Sequence, residues 1–111
     1  MNKPTLLCLD DDPLILKCWV RAFKQHFNVV TAEDVDQATS LIDSVDIILS
    51  DWNLKTCTSR DFLIRFKHKP VVVVSGRPGE VTIDHAFRII EKGIPGLSQQ
   101  VERSLLEALG G

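Results

Sequence analysis

The chain lacks any apolar run near the ~18 residues that would suggest a bilayer-spanning helix. It lacks an excess of one charge as well. Thirteen basic residues against fifteen acidic ones give a formal net charge of -2, so there is no basic footprint for nucleic acid. It lacks paired cysteines. Cys8, Cys18 and Cys57 are odd in number and form no C-x-x-C pair. They read as reduced thiols of a cytosolic protein, two of them filling core positions. A signal peptide is not expected, because Lys3 and Pro4 precede a short apolar run that stops at three aspartates. Internal repeats and low-complexity segments are missing too.

The 111 residues that remain to be explained suit one domain with one core. Hydrophobic residues at 44% and charged residues at 25% are ordinary for a soluble globular chain.

Residues 46 to 53 organise the rest. Ile47, Ile48 and Leu49 form a short apolar run that reads as a strand buried on both faces. It stops at Ser50 and Asp51, leaving a carboxylate at the strand's carboxyl end. Open parallel α/β sheets bind ligands at that end, in the crevice where strand order reverses. Taken alone, Asp51 reads better as a solvated carboxylate where a chain leaves a strand, since strand-end aspartates are common in loops. Other parts of the chain change that balance.

Thr5 to Leu9 is a continuous apolar strand ending in Asp10, Asp11, Asp12 and Pro13. Proline suits the first position of a helix and aspartate the cap before it, which accounts for Asp12. Asp10 and Asp11 have no such task. Two carboxylates about 4 Å apart repel by roughly 4 kcal/mol at an effective dielectric of about 20. A fold that tolerates this usually holds a cation there.

Pro13 to Phe27 reads as an amphipathic helix with Leu14, Ile15, Cys18, Trp19, Ala22 and Phe23 inward. Asn28 to Ala32 is a β-branched strand. Glu33 and Asp34 open a second helix, with Val35, Ala38, Leu41 and Ile42 on its buried stripe. A loop follows the central strand, then a third helix from about Ser59 to His68 with Phe62, Leu63 and Phe66 inward. Val71 to Val74 is another doubly buried strand, followed by Ser75 and Gly76. Phe87 to Glu91 is the fifth strand, followed by Lys92. A last helix runs from about Leu97 to Leu109, with Val101, Leu105, Ala108 and Leu109 inward, Ser98 as a candidate cap and Gly110 closing it.

Alternating strands and helices imply a parallel sheet with right-handed crossovers and helices on both faces. The single-domain solution over residues 1–111 is a five-stranded, flavodoxin-like α/β sheet in the order 2-1-3-4-5, with its switch point between strands one and three. Asp10, Asp11, Asp51, Ser75 and Lys92 then converge on one rim. Mg²⁺ prefers oxygen ligands and takes one or two carboxylates with water and phosphate oxygens. A neighbouring carboxylate can attack phosphorus to give an acyl phosphate. A lysine and a hydroxyl can hold the phosphoryl oxygens.

In these motifs the chain resembles the response-regulator receiver domain over nearly its whole length. Leu9 to Pro13 is similar to that family's acidic motif, and Ser50 to Leu54 to its phosphorylation strand. Ser75 with Gly76 matches its hydroxyl residue followed by a small one, and Lys92 its lysine on strand five. The resemblance implies a two-component phosphoacceptor in the cytoplasm. Asp51 would receive phosphate from a phosphohistidine on a histidine kinase or phosphotransfer protein. Asp11, Asp51 and the backbone carbonyl of Asn53 would ligate Mg²⁺, with Asp10 acting largely through water. Ser75 and Lys92 would bind the phosphoryl group. Such a domain is no enzyme beyond catalysing its own phosphorylation and dephosphorylation, and binds neither nucleic acid nor membrane directly.

The chain departs from the family in places. Leu54 to Ser59 replaces the usual Met-Pro-x-Met-Asp-Gly loop. Gly93 stands where proline usually follows the lysine. Ile89 stands where Tyr or Phe is usual, and tyrosine is absent from the chain. The link from Gly76 to Ala86 is short, and Pro78 and Gly79 disfavour helix in its first part, so the fourth helix is predicted to be missing or shortened. The family tends to use its fourth helix, fifth strand and fifth helix for dimers or partners. Phe87 and Ile89 should therefore be partly exposed and form a dimer or docking face, unless Val81 and Ile83 fold back over them.

Two other readings compete. A haloacid-dehalogenase-like phosphatase would use Asp10-Asp11-Asp12, Ser75 and Lys92. It would leave Asp51 idle and lack a later acidic pair, since Glu102 and Glu107 lie in the last helix. A pseudo-receiver would bind partners without phosphotransfer. Singly, Lys92 reads equally as a lysine neutralising an acidic rim, and Ser75 as a turn residue. Trp52, beside Asp51, is placed to report metal binding by fluorescence.

Overall fold

The computed structural model describes residues 3–110. Five strands, β1 (Thr5–Leu9), β2 (Asn28–Ala32), β3 (Ile47–Asp51), β4 (Val71–Ser75) and β5 (Arg88–Glu91), form one sheet. All pairings are parallel and the order is β2-β1-β3-β4-β5. Four helices are described: α1 (Pro13–Phe23), α2 (Val35–Leu41), α3 (Arg60–Arg65) and α4 (Leu97–Ala108).

The sheet's two faces carry two apolar clusters. Alternate residues of β1, β3 and β4 serve each. Leu6, Cys8, Ile47, Leu49, Val72 and Val74 meet α1 and α4. Leu7, Leu9, Ile48, Val71 and Val73 meet α2 and α3. Burial on both faces is why these strands read as unbroken apolar runs rather than alternating ones.

α1 differs from the sequence reading in two respects. Its buried side is Leu16, Trp19 and Phe23, while Leu14 is 67% exposed and Ile15 and Cys18 are also outside. The helical period admits two overlapping stripes through Trp19 and Phe23, and Leu16 completes the one with i, i+3 and i+7 spacing. The two aromatic rings stack at 5.4 Å and carry this choice. The helix also stops at Phe23 rather than Phe27. The chain must turn there so that Phe27 enters the core and Asn28 pairs with Thr5.

Other elements are trimmed in the same way. α3 is shorter than expected, and Phe66 is only partly buried. Ser98 does not cap α4. Gly96, left-handed at φ +69°, stands at the cap with no side-chain bond, and Leu109 lies outside the buried stripe. Of the cysteines only Cys8 is in the core, while Cys18 and Cys57 are exposed.

The link between β4 and β5 holds no α-helix. It contains a single 3-10 turn at Pro78–Glu80. Val81 and Ile83 fold back against the α2/α3-side cluster, yet Phe87 and Ile89 remain 43% and 36% exposed. The short segment covers β4 and stops before β5. No described helix is long and apolar enough to cross a membrane.

The burial pattern of α1 makes a direct prediction. Phe23→Ala removes a fully buried ring and should cost about 3–5 kcal/mol in denaturant unfolding. Leu14→Ser should change stability by no more than about 0.5 kcal/mol, as for other surface substitutions.

Candidate functional site

β1 and β3 lie side by side, and their carboxyl ends deliver Asp10, Asp11 and Asp51 to the crevice where strand order reverses. One oxygen from each carboxylate lies within 4.8 Å of the others. Asp10 is 2% exposed and Asp51 5%, while Asp11 is half-buried. Asp12 sits outside the group. Its Oδ1 accepts the Leu14 N–H at 2.9 Å and caps α1, as expected.

Asp10 Oδ1 accepts the Asp12 N–H at 2.9 Å. Its Oδ2 is buried and has no hydrogen-bond partner among the described residues. Burial pushes the Asp10 carboxyl up to about 6; the Asp12 N–H opposes this, and the Asp51 charge adds to it. Burial also raises Asp51, against the hydrogen bond and charge of Lys92. The Lys92 Nζ stands 2.9 Å from Asp51 Oδ1. Three oxygen donors and one orphaned buried oxygen suit a hard, oxygen-seeking divalent cation such as Mg²⁺.

Lys92 reaches the rim because the end of β5 is tied to β4. Its backbone N–H donates to Ser75 O at 2.9 Å. The chain then turns at Gly93, left-handed at φ +81°, and the described residues contain no cis peptide. Glycine adopts that conformation without the penalty a side chain would bring. Ser75 is fully buried at the end of β4, and its Oγ accepts the Arg77 N–H at 3.0 Å. Its hydroxyl proton remains free to donate.

The loop after β3 is held close to the site. Trp52 donates to Val74 O at 3.0 Å and accepts from Ser59 N–H at 2.9 Å. Asn53 bridges to Thr58, and Leu54 N–H donates to Cys57 O. A cleft of about 540 Å³ opens on the Asp11 side, walled by Glu33, Asp34 and Asp36 and by Leu54 to Cys57. Lys55 lines a smaller cleft beside Asp11 and Asp12. Sequence reasoning did not single out Lys55 or Glu33, since nothing in their spacing marks them. The Asp10–Asp12 contact did have a signal, an aspartate two residues before a helix cap.

No protein-family profile matches the sequence, and no curated protein matches it by sequence. Solved structures do match. The signal receiver domain of an HD domain-containing protein from Pseudomonas fluorescens Pf-5 superposes with a TM-score of 0.84 at 20% identity, covering 98% of this chain and 96% of that one. The fold is that of a response-regulator receiver domain. A receiver domain from Clostridium thermocellum gives 0.79 at 16% identity, covering 96% and 94%. The response regulator TrrA of Thermotoga maritima, in complex with Mg²⁺ and BeF, gives 0.74 at 16%, covering 92% and 99%. At these identities the likeness is one of fold.

The buried carboxylates predict a pH dependence. Asp10 has a folded-state value above its ordinary 3.8, so its contribution to stability is full below that value and lost as pH rises through about 6. In metal-free buffer at pH 7.5, Asp10→Asn should raise stability by up to about 3 kcal/mol, at about 1.4 kcal/mol per pKa unit. The gain should shrink toward zero near pH 4. Urea unfolding of both proteins across that range measures it, and a pH-independent difference would contradict the assignment.

Proposed function

We propose that residues 1–111 act as one receiver unit, a phosphoacceptor in two-component signalling whose acceptor is Asp51. The observation that carries this reading is the placement of the Lys92 amine 2.9 Å from Asp51, beside the Asp10 and Asp11 carboxylates at the sheet's switch point. The donor is a phosphohistidine on a histidine kinase or phosphotransfer protein. A cytoplasmic setting follows from that reading.

An Asp51 oxygen attacks the phosphorus of the phosphohistidine. A phosphorus–oxygen bond forms, the phosphorus–nitrogen bond breaks, and the imidazole leaves with the electron pair. Asp51 becomes an acyl phosphate. Lys92 moves from the free carboxylate to the phosphoryl oxygens, where its charge opposes theirs. Ser75 donates its hydroxyl proton to another phosphoryl oxygen while still accepting from Arg77. Asp11, Asp51 and the Asn53 carbonyl, with Asp10 acting through water, would hold Mg²⁺, which when bound would supply further positive charge at those oxygens. Attack by water on phosphorus returns the free carboxylate. The chain thus acts only on its own phosphoryl group.

The phosphatase alternative has less support. It needs an acidic pair at a later strand end, and the acids after Lys92 are Glu102 and Glu107, both on α4.

Incubation with Mg²⁺ and a small acyl or amidophosphate donor should add one phosphoryl group by intact mass. Asp51→Asn should abolish the gain, because an amide is no nucleophile here, and Lys92→Ala should shorten the life of the labelled form. Label that persists in Asp51→Asn and moves to Asp10 would favour the phosphatase. No label under any condition would favour a pseudo-receiver.

Metal binding is testable separately. Mg²⁺ a hundredfold above its Kd should stabilise the fold by about 2.7 kcal/mol, and Asp11→Ala should abolish the rise in Tm. The Trp52 ring, buried next to Asp51, gives a fluorescence readout of the same titration.

A further inference from the structure

β5 is an edge strand without the helix that would shield it. Lys92 donates its N–H to Ser75 O at 2.9 Å, Val74 O is taken by Trp52 N–H on the β3 side, and Val73 pairs with Ile89 in the ladder. In a parallel ladder, alternate residues turn their backbone groups to opposite sides. Val73 and Ser75 turn theirs to β5 and receive Arg88, Ile90 and Lys92, so Ile89 and Glu91 turn theirs outward, where no described strand pairs. An open row of donors and acceptors is a template for another strand. On the face left bare by the shortened link, Phe87 and Ile89 are also exposed.

We propose that β5 pairs antiparallel with β5 of a second copy of this chain, about a two-fold axis at Ile89, so that one sheet runs through the dimer. Charge selects both the occupant and the register. A two-fold axis normal to the sheet places residues of the same parity opposite each other. An axis at Arg88 sets Arg88 against its own copy. An axis at Ile90 sets Arg88 against Lys92, and one at Glu91 sets Glu91 against its own copy. Like charges directly opposite are destabilising. The axis at Ile89 opposes Ile89 to Ile89, Arg88 to Ile90 and Phe87 to Glu91, with no like pair. It also joins the outward backbone groups of Ile89 to those of the second Ile89 as a hydrogen-bonded pair. Facing Cα atoms in such a pair are about 5.5 Å apart, and the two Ile89 side chains stand on the same face in contact range. Phe87 lies diagonal to the second Ile89, within reach of a ring. The strand is self-complementary in the one register that also covers both exposed apolar side chains.

The register gives a covalent test that is independent of phosphorylation. In a Cys18→Ser, Cys57→Ser background, Ile89→Cys places two thiols where facing Cα atoms are about 5.5 Å apart, inside the range a disulfide spans. Mild oxidation should link Ile89→Cys into dimers at least tenfold faster than Arg88→Cys or Glu91→Cys. Sedimentation of the parent from micromolar to millimolar concentration should show monomer passing to dimer. Ile89→Lys should weaken that association at least tenfold with the parent's unfolding curve retained. Should Ile89→Lys fail to fold, the crosslinking pattern of the cysteine variants decides. A parent that stays monomeric throughout, equal crosslinking at the three positions, or a monomer that binds only an unrelated extended peptide overturns the proposal.

Discussion

Repulsion among carboxylates at one rim is the constraint on which the rest of this structure depends. Asp10, Asp11 and Asp51 bring their oxygens within 4.8 Å of one another, and two of them are almost fully buried. Burial and mutual charge both oppose ionisation there, and Asp10 is pushed up to about 6 in consequence. The strands that deliver these groups cannot splay apart to relieve the strain. β1 and β3 are the central pair of the sheet, packed on both faces by large apolar clusters. A close-packed interior of this kind transmits strain rather than absorbing it. Relief comes from the Asp12 N–H on Asp10 and, from outside the pair, from the amine of Lys92 at the end of β5.

That arrangement makes the end of β5 part of the site, and it explains how the chain manages without a helix between β4 and β5. The carboxyl end of β5 is pinned by the bond from Lys92 N–H to Ser75 O and by the ion pair to Asp51. One face of β5 packs through Ile90 into the cluster shared with α4, and Arg88 reaches the Ser104 hydroxyl and Glu107 on that helix. The strand is therefore held from one face and one end. The other face needs no helix to keep β5 in place, and the link retains only Val81 and Ile83 as cover for β4.

The strands were legible in the sequence because burial on both faces writes itself as a continuous apolar run. Thr5 to Leu9, Ile47 to Leu49 and Val71 to Val74 are such runs, while the edge strand Asn28 to Ala32 was legible from its β-branched residues. Once five strands alternate with helices, topology brings Asp10, Asp11 and Asp51 together without reference to side-chain detail. The missing helix was legible for a similar reason, since Pro78 and Gly79 act locally. Side-chain facing on α1 was not legible. Leu14, Ile15 and Leu16 are consecutive and equally apolar, and only the packing of Trp19 and Phe23 tells which of them turns inward. Helix ends failed for the same tertiary reason, as the need to seat Phe27 cut α1 short. The Lys92–Asp51 distance was also out of reach, because it rests on the tie to Ser75 and the turn at Gly93, neither of which has a periodic signal.

The pairing of Lys92 with Asp51 also bears on how a change at the rim could be felt elsewhere. On the proposed reading, phosphoryl transfer gives Lys92 and Ser75 a new anion to share. These two residues are already joined through the backbone, and the Ser75 hydroxyl holds the Arg77 N–H at the start of the shortened link. A pull on either therefore reaches β5 and the 3-10 turn at Pro78–Glu80 within a few bonds. Ile89 on that strand is 36% exposed, with no helix above it among the described residues. The strand that answers to the rim is then also the strand that faces outward, so site and surface are separated by the thickness of one β-strand rather than by a mobile layer.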